Sequence, residues 1–407
     1  MSNYFAEKLS MYNTFENKAK ISNKYSGSCI TVSKIVIEDI IECTRQGLSV
    51  EEICEIRSEY VDYYKKVFKA LDKMSLITPY KYYERDINFI PLISFSITKK
   101  CNLECSYCCT SSDINNNSLK ELNTREIKEC INNILKYNPL EIKISGGEPL
   151  VRKDALEILE YLRSKYKNVI IFATNATLLS RKKIDILSKY VDSVEISLDG
   201  YNNETYNDVR QNSDATFENI VDYIKIFQEN GIIDIYASMV VGVNNCKNVE
   251  KFIDMCELYN VKPIIRAFTK VGSGLLDDTY LRDERDYIYD FYGIEKFIDY
   301  KLRATTCNAG DTQIYIDSLG DVYPCPLLVC EEYRIGNILK DDLYKKRIDV
   351  IENLNKKRAI FRKGCKDCQY AIYCGNCHYV SMHETQKNVF EYHCSKNKKY
   401  FKKCSIK

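Results

Sequence analysis

Cys101, Cys105 and Cys108 stand in the spacing Cys-x3-Cys-x2-Cys, directly after the apolar run Leu92-Ile93-Ser94-Phe95-Ser96-Ile97. Thiolates this close, on a loop leaving a buried strand, can hold three irons of a [4Fe–4S] cube. The fourth iron then lacks a protein ligand and is open to a substrate or cofactor. A structural zinc site is the other reading of the triplet, and it ordinarily closes with a fourth Cys or His. Cys109 follows at once, but adjacent residues seldom face one small ion. The nearest histidine in sequence is His378.

The elements that must position these thiols alternate. Strands are expected at Leu92–Thr98, Glu141–Ser145, Asn168–Thr174, Ser193–Leu198, Ile233–Val241 and Pro263–Ala267. Between them lie helical patterns at Thr124–Tyr137, with Asn123 and Glu126 as a capping box, then Asp154–Tyr166, Arg181–Lys189, Thr216–Asn230 and Asn248–Tyr259. This α/β alternation implies a parallel sheet with helices outside it. Right-handed crossovers curl such a sheet into a full or partial (β/α)6 TIM-like barrel, whose site lies at the C-terminal ends of the strands. The triplet follows the first strand, at that end.

Composition narrows the class. The 407 residues exceed what one core usually serves. Lys plus Arg (59) nearly balance Asp plus Glu (57), for a net charge of +2, so charge gives no case for nucleic-acid binding. The Lys-rich stretches near the C-terminus read as a solvated tail. No long apolar run suggests a membrane span, and the first residues lack a secretory pattern, so a cytoplasmic location is expected. Nineteen cysteines without an export signal argue for metal binding over disulfides. Cys29, Cys43, Cys54, Cys130 and Cys256 fall within apolar patterns and read as small core residues. Cys246 and Cys404 read as exposed thiols, and His378, His383 and His393 as structural histidines.

Ser145-Gly146-Gly147-Glu148-Pro149 follows the second strand. Its glycines allow close backbone approach to a ligand, and Glu148 can accept from a ligand ammonium. With Tyr107 before the last Cys of the triplet, this combination resembles the radical S-adenosylmethionine (SAM) superfamily. The resemblance implies that SAM chelates the open iron through its amino and carboxylate groups. Reductive cleavage would then yield a 5′-deoxyadenosyl radical. Ala173-Thr174-Asn175-Ala176 resembles the family's Thr-Asn-Gly segment, with Ala176 departing from Gly, and Ser197-Leu198-Asp199-Gly200 its Ser-x-Asp-Gly motif. By resemblance, Tyr107, Gly146, Gly147, Glu148, Pro149 and Asn175 belong to the SAM site. Ser197 and Arg210 are candidates for its carboxylate or ribose. A surface ion pair is the other reading of Arg210. Val240-Val241-Gly242-Val243 would line the adenine through backbone.

The C-terminal pattern runs Cys307-x12-Gly320-x4-Cys325, then Cys365-x2-Cys368-x5-Cys374-x2-Cys377, then Cys394. Alone it fits zinc ribbons as well as Fe–S sites. With the upstream triplet it resembles the SPASM extension of radical SAM peptide maturases, which carries two auxiliary [4Fe–4S] clusters. Two residues separate Cys374 from Cys377 where the family usually has three. The resemblance implies that Cys307, Cys325 and Cys377 hold the first auxiliary cluster, and Cys365, Cys368, Cys374 and Cys394 the second. Lys301 stands where some members have a further Cys, so the first auxiliary cluster has an open iron or takes Cys330.

Near the N-terminus, Gly47-Leu48-Ser49-Val50-Glu51-Glu52-Ile53 reads as a turn and capped helix. Val61, Tyr64, Val67, Phe68, Leu71 and Met74 follow at helical spacing. Short helices beside a possible hairpin suggest a winged-helix-like module, or else a plain helical cap. The segment resembles the precursor-recognition domain of ribosomal peptide maturases, which binds a leader as an added strand. Three domains are thus expected: a recognition domain at 1–88, a radical SAM core at 89–300 and a SPASM domain at 301–407. The resemblance implies thioether formation from a Cys sulfur of a precursor peptide, with a flavodoxin or ferredoxin as electron donor. Carbon–carbon crosslinking and sulfatase maturation by formylglycine formation are its alternatives. An Fe–S electron-transfer or zinc-binding scaffold is the non-enzymatic one.

Overall fold

The computed structural model describes residues 4–5, 10–15, 17–23, 29–73, 76–78, 90–115, 120–210, 215–242, 244–269, 271–275, 309–310 and 312–357. Cys307, Cys365, Cys368, Cys374, Cys377, Cys394 and Cys404 lie outside these, as do Met74, Val243, Lys301 and the three histidines. The chain divides into two compact units. One comprises 1–87, 299–308 and 353–407; the other comprises 88–298 and 309–352.

In the first unit, β1 (Tyr4–Phe5) pairs with β5 (Ile77–Thr78). Strands β2 (Ser10–Phe15), β3 (Lys18–Asn23) and β4 (Cys29–Ser33) form an antiparallel sheet in sequence order. Three helices follow: α1 (Lys34–Arg45), α2 (Val50–Ile56) and α3 (Val61–Lys73). Ala19 and Ile21 alternate onto one face of β3 and meet Ile37, Ile40, Ile53, Val67, Phe68 and Leu71 in one core. The spacing read for α3 is thus its buried face. Ser49 caps α2, and Glu52 returns the bond in a capping box. Asp39 ties the helices together, accepting from Arg57 Nε at 2.9 Å and from the Tyr64 hydroxyl at 2.6 Å.

The second unit is built on β6 (Leu92–Ser96), β7 (Glu141–Ser145), β8 (Val169–Thr174), β9 (Ser193–Ser197), β10 (Asp234–Val241) and β11 (Lys262–Ala267). All six run parallel and neighbour one another in sequence order, the topology of a partial (β/α)6 barrel. Helices cross between them: α4 (Thr124–Leu135), α5 (Ala155–Lys165), α6 (Arg181–Leu187), α7 (Asn203–Val209), α8 (Phe217–Glu229) and α9 (Val249–Leu258). Alternation decides which strand face they cover. Ile93, Phe95, Ile142, Ile144, Ile170, Phe172, Val194 and Ile196 are fully or almost fully buried on the outer face. Burying each contributes about 1.5–3 kcal/mol relative to exposure. The opposite, inward face carries Ser94, Ser96, Lys143, Ser145, Ala173 and Glu195.

The sheet extends beyond the expected six strands. β12 (Gln313–Ile316) adds in parallel to β6, and β13 (Asp321–Tyr323) and β14 (Gly336–Asn337) continue it antiparallel. Residues 309–352 therefore belong to the barrel's unit, although the Cys spacing groups them with the C-terminal segment. Ile314 and Ile316, nearly solvent-free, continue the apolar outer layer past β6.

Candidate active site

The loop from Ile97 to Ser112 carries the triplet, and backbone contacts fix its shape. Lys99 N and the Thr98 hydroxyl donate to the Glu121 carboxylate, at 2.5 and 2.9 Å. Gly147 N donates to Thr98 O (2.8 Å) and Glu148 N to Lys100 O (2.9 Å). A Cβ on Gly146 would stand 2.5 Å from Thr98 O, and one on Gly147 2.2 Å from Lys100 O. The close approach that these glycines permit is therefore to the cysteine loop itself, and the Gly147 and Glu148 N–H groups are spent on it.

Glu148 is fully buried, and its oxygens accept from Leu150 N (3.1 Å), Asn175 N (2.7 Å) and the Thr174 hydroxyl (3.0 Å). Burial pushes its carboxyl up to about 7 against the pull of these donors. Pro149 opens the one-turn helix that Glu148 caps. Asn175 reaches back to the cysteine loop, donating from Nδ2 to Asn102 Oδ1 (3.1 Å) and contacting Cys101 Sγ at 3.7 Å. Ala176 adopts φ +65°, the left-handed conformation in which a glycine would be unstrained.

Arg210, at the end of α7, is 7% exposed, so the surface ion pair gives way to a buried one. Its guanidinium grips Asp199 through Nε (2.9 Å) and Nη2, while Nη1 donates to Cys105 Sγ at 3.3 Å. Tyr107 donates to the same Asp199 oxygen at 2.7 Å, and Val240 N donates to the other at 2.6 Å. Asp199 is thus a hub joining the cysteine loop to β9 and β10. The sequence reading placed it within a motif but did not single it out. Its φ of +57° hinted at nothing in sequence, because only the folded turn imposes it. Ser197 lies half-buried at the C-terminal end of β9.

Among the described residues, several backbone groups expected to face an adenine are occupied. Val240 N is bound to Asp199, Val240 O accepts from Asn245 Nδ2 (2.9 Å), and Gly242 N donates to Asn245 Oδ1 (2.9 Å). This end of β10 therefore offers its side chains, and Asn245 is its lock. Cys43, Cys54, Cys130 and Cys256 are buried as expected, whereas Cys246 is half-buried. Of the expected auxiliary ligands, Cys325 is half-buried and Cys330 exposed, and the others lie outside the described residues.

The donor set suits a cluster better than one ion. A cube asks each thiolate to meet a different iron. Each sulfur of the triplet has N–H donors aimed at it: Leu103 N (3.4 Å) and Asn175 on Cys101, Arg210 on Cys105, and Ser112 N (3.4 Å) on Cys108. Burial pushes the Cys101 thiol to about 11 and raises Cys105 despite Arg210, so a bound metal is what would deprotonate them.

Two family models match the chain: the radical SAM superfamily over residues 95–256 and an iron–sulfur cluster-binding domain, SPASM, over residues 307–378. The chain belongs to the radical SAM superfamily, in its SPASM-bearing branch, whose cofactors are SAM, a radical SAM [4Fe–4S] cluster and auxiliary clusters. It is 28% identical to the mycofactocin maturase MftC of Mycolicibacterium smegmatis, over 72% of this chain and 77% of that protein. It is also 28% identical to the antilisterial bacteriocin subtilosin biosynthesis protein AlbA of Bacillus subtilis, over 73% and 69%. A probable GTP 3',8-cyclase of Methanococcus aeolicus is 32% identical over 53% of this chain and 69% of its own length. In fold, the chain resembles Streptococcus suis SuiB bound to precursor peptide SuiA, with a TM-score of 0.57 and 14% identity, covering 94% of this chain and 97% of that one.

Proposed function

We propose that this chain is a peptide maturase that modifies a ribosomally made precursor, by forming a thioether from a Cys sulfur. The observation that carries the reading is the convergence of the Gly-Gly-Glu, Asn175 and Asp199–Arg210 segments on one three-cysteine loop, in a chain that continues into SPASM. The names of MftC, a maturase, and of AlbA, a bacteriocin biosynthesis protein, with the likeness in fold to SuiB bound to a precursor peptide, favour a peptide substrate.

Cys101, Cys105 and Cys108 would hold the cube, which would supply the electron for SAM cleavage. The chain's own residues shape its surroundings. Asn175, Leu103 and Ser112 direct N–H groups at the sulfurs, and Arg210 sets a positive charge beside one of them. Glu148 ties the segment after β7 to the end of β8 through Thr174 and Asn175. Cys307, Cys325 and Cys377, with Cys330 or an open iron, would serve one auxiliary cluster; Cys365, Cys368, Cys374 and Cys394 would serve the other. An open auxiliary iron would suit a substrate thiolate.

Residues 1–88 would bind the leader as a strand added to the β2–β4 sheet, whose edge strands β2 and β4 have no further strand partner among the described residues. Residues 89–300 would form the catalytic core and 301–407 the cluster-bearing extension. A flavodoxin or ferredoxin in the cytoplasm would supply the electron. Among the described residues no helix is long and apolar enough to cross a membrane.

The test is anaerobic coexpression with a short Cys-rich peptide encoded beside the gene, followed by mass spectrometry. The expected product has lost two hydrogens per crosslink, and fragmentation places the bond at a Cys sulfur. SAM cleavage by the reconstituted enzyme with every such peptide left unchanged in mass would sink the reading.

A further inference from the structure

Parallel barrels are normally filled by bulky branched side chains. Here the inward positions include Ser94, Ser96, Ser145, Ala173, Ser197 and Ser238, which make the interior polar beside the larger Ile171, Tyr236, Val240 and Tyr315. Into that space project Lys143 from β7, Glu195 from β9 and Arg266 from β11. Register confirms their facing. Glu195 pairs with Tyr236 and Ala173, and Arg266 pairs with Val240, all on the inward side. Glu195 Oε2 accepts from Lys143 Nζ at 2.5 Å and Oε1 from Arg266 Nη2 at 2.7 Å.

Two cations share this one carboxylate, so the group carries a net positive charge when Lys143 is protonated; burial lowers the Lys143 ammonium, against the pull of Glu195. The other charged pairs nearby balance themselves: Asp199 with Arg210, and Asp234 with Lys262 at the far end of the strands. Among the described residues Arg266 makes no other hydrogen bond, although a guanidinium has five donors, and its side chain is 42% exposed. Lys143 and Arg266 also lie within electrostatic reach of the Cys109 thiol, which is next to the last cysteine of the triplet. The surplus charge therefore sits beside the proposed cluster.

We propose that Lys143 and Arg266 form a carboxylate-binding site inside the barrel, with Glu195 holding both cations in place until a substrate carboxylate joins them. The inference rests on the maturase reading for its substrate, which makes the ligand the side chain of an acidic residue near the modified position. Guanidinium donors already oriented by Glu195 favour a planar carboxylate over a neutral amide.

The test is equilibrium dialysis of the cluster-loaded enzyme with SAM and no reductant, against N-acetyl-glutamate amide and N-acetyl-glutamine amide. The acid should bind at least about tenfold tighter than the amide. Arg266→Gln should abolish that preference. Glu195→Gln removes the competing carboxylate and should tighten the acid's binding severalfold, whereas a purely structural triad would lose binding in both variants. Equal binding of acid and amide by the wild-type enzyme, or binding of neither in the millimolar range, overturns the proposal without reference to any variant. Precursor mass is scored separately. Modification of a precursor without acid preference removes only the carboxylate site, and acid preference with every precursor unmodified removes only the maturase reading.

Discussion

Arg210 Nη1 donates to Cys105 Sγ at 3.3 Å while the rest of the same guanidinium is bound to Asp199, 1% exposed in its side chain. A buried cation is thereby held against a sulfur of the triplet, where it favours the more negative, reduced state of a bound cluster. Arg210→Met should lower the midpoint potential of the reconstituted cluster by tens of millivolts, read by potentiometric EPR. It also strands the Asp199 carboxylate, at a cost of about 3–5 kcal/mol in stability. If Arg210 instead only binds SAM, SAM affinity will fall with the potential unchanged, and the tuning role is refuted.

Gly272 adopts φ +59°, and a Cβ there would lie 2.5 Å from Cys108 O and 2.6 Å from Cys109 O. Ser273 N also donates to Cys108 O at 2.9 Å, so the segment after β11 braces the end of the cysteine loop. Gly272→Ala should cut dithionite-driven 5′-deoxyadenosine formation by on the order of tenfold or more, through displacement of the loop. Gly47, at φ +85° with nothing within 4 Å, is the control. Gly47→Ala costs only about 1–2 kcal/mol of left-handed strain and should leave SAM cleavage intact.

Burial raises Glu148 from an ordinary 4.5 to about 7. Its folded-state value exceeds its unfolded one, so its contribution to stability is complete below 4.5 and is lost as pH rises through 7. Cluster-free wild-type protein should therefore lose on the order of 3 kcal/mol relative to Glu148→Gln between pH 5 and 8. Parallel pH dependence of the two unfolding midpoints would contradict this.

Glu195 behaves in the opposite sense. Burial pushes it up, but Lys143 and Arg266 outweigh burial and hold it at about 2. Its contribution is present above 4.5 and disappears as pH falls toward 2. The wild-type advantage over Glu195→Gln in urea titrations should be on the order of 3 kcal/mol at pH 6 and shrink steadily from pH 4.5 to pH 3. A difference independent of pH would show that the carboxylate's charge is irrelevant to folding.

Local patterns were sufficient for much of this molecule. Short runs lying between helical patterns marked all six barrel strands to within a residue or two at each end, and helical spacing with the Asn123–Glu126 box marked α4. α7 escaped notice because, of its seven residues, only Thr205 and Tyr206 are buried, which is too little to set a period. β12 escaped because four residues beside a cysteine-rich segment carry no partner information.

The sequence by itself determined the strand order, the chemistry of the cysteine loop and the family to which both belong, since each is written in spacings of a few residues. Only the tertiary structure decided what the motif residues touch. It turned the glycines onto the cysteine loop, buried Glu148 against Thr174, set Arg210 on a sulfur 105 positions away, and gathered Lys143, Glu195 and Arg266 in one lumen. These contacts join side chains on different strands and loops. They depend on register and on the curvature of the whole sheet, and no local pattern encodes either.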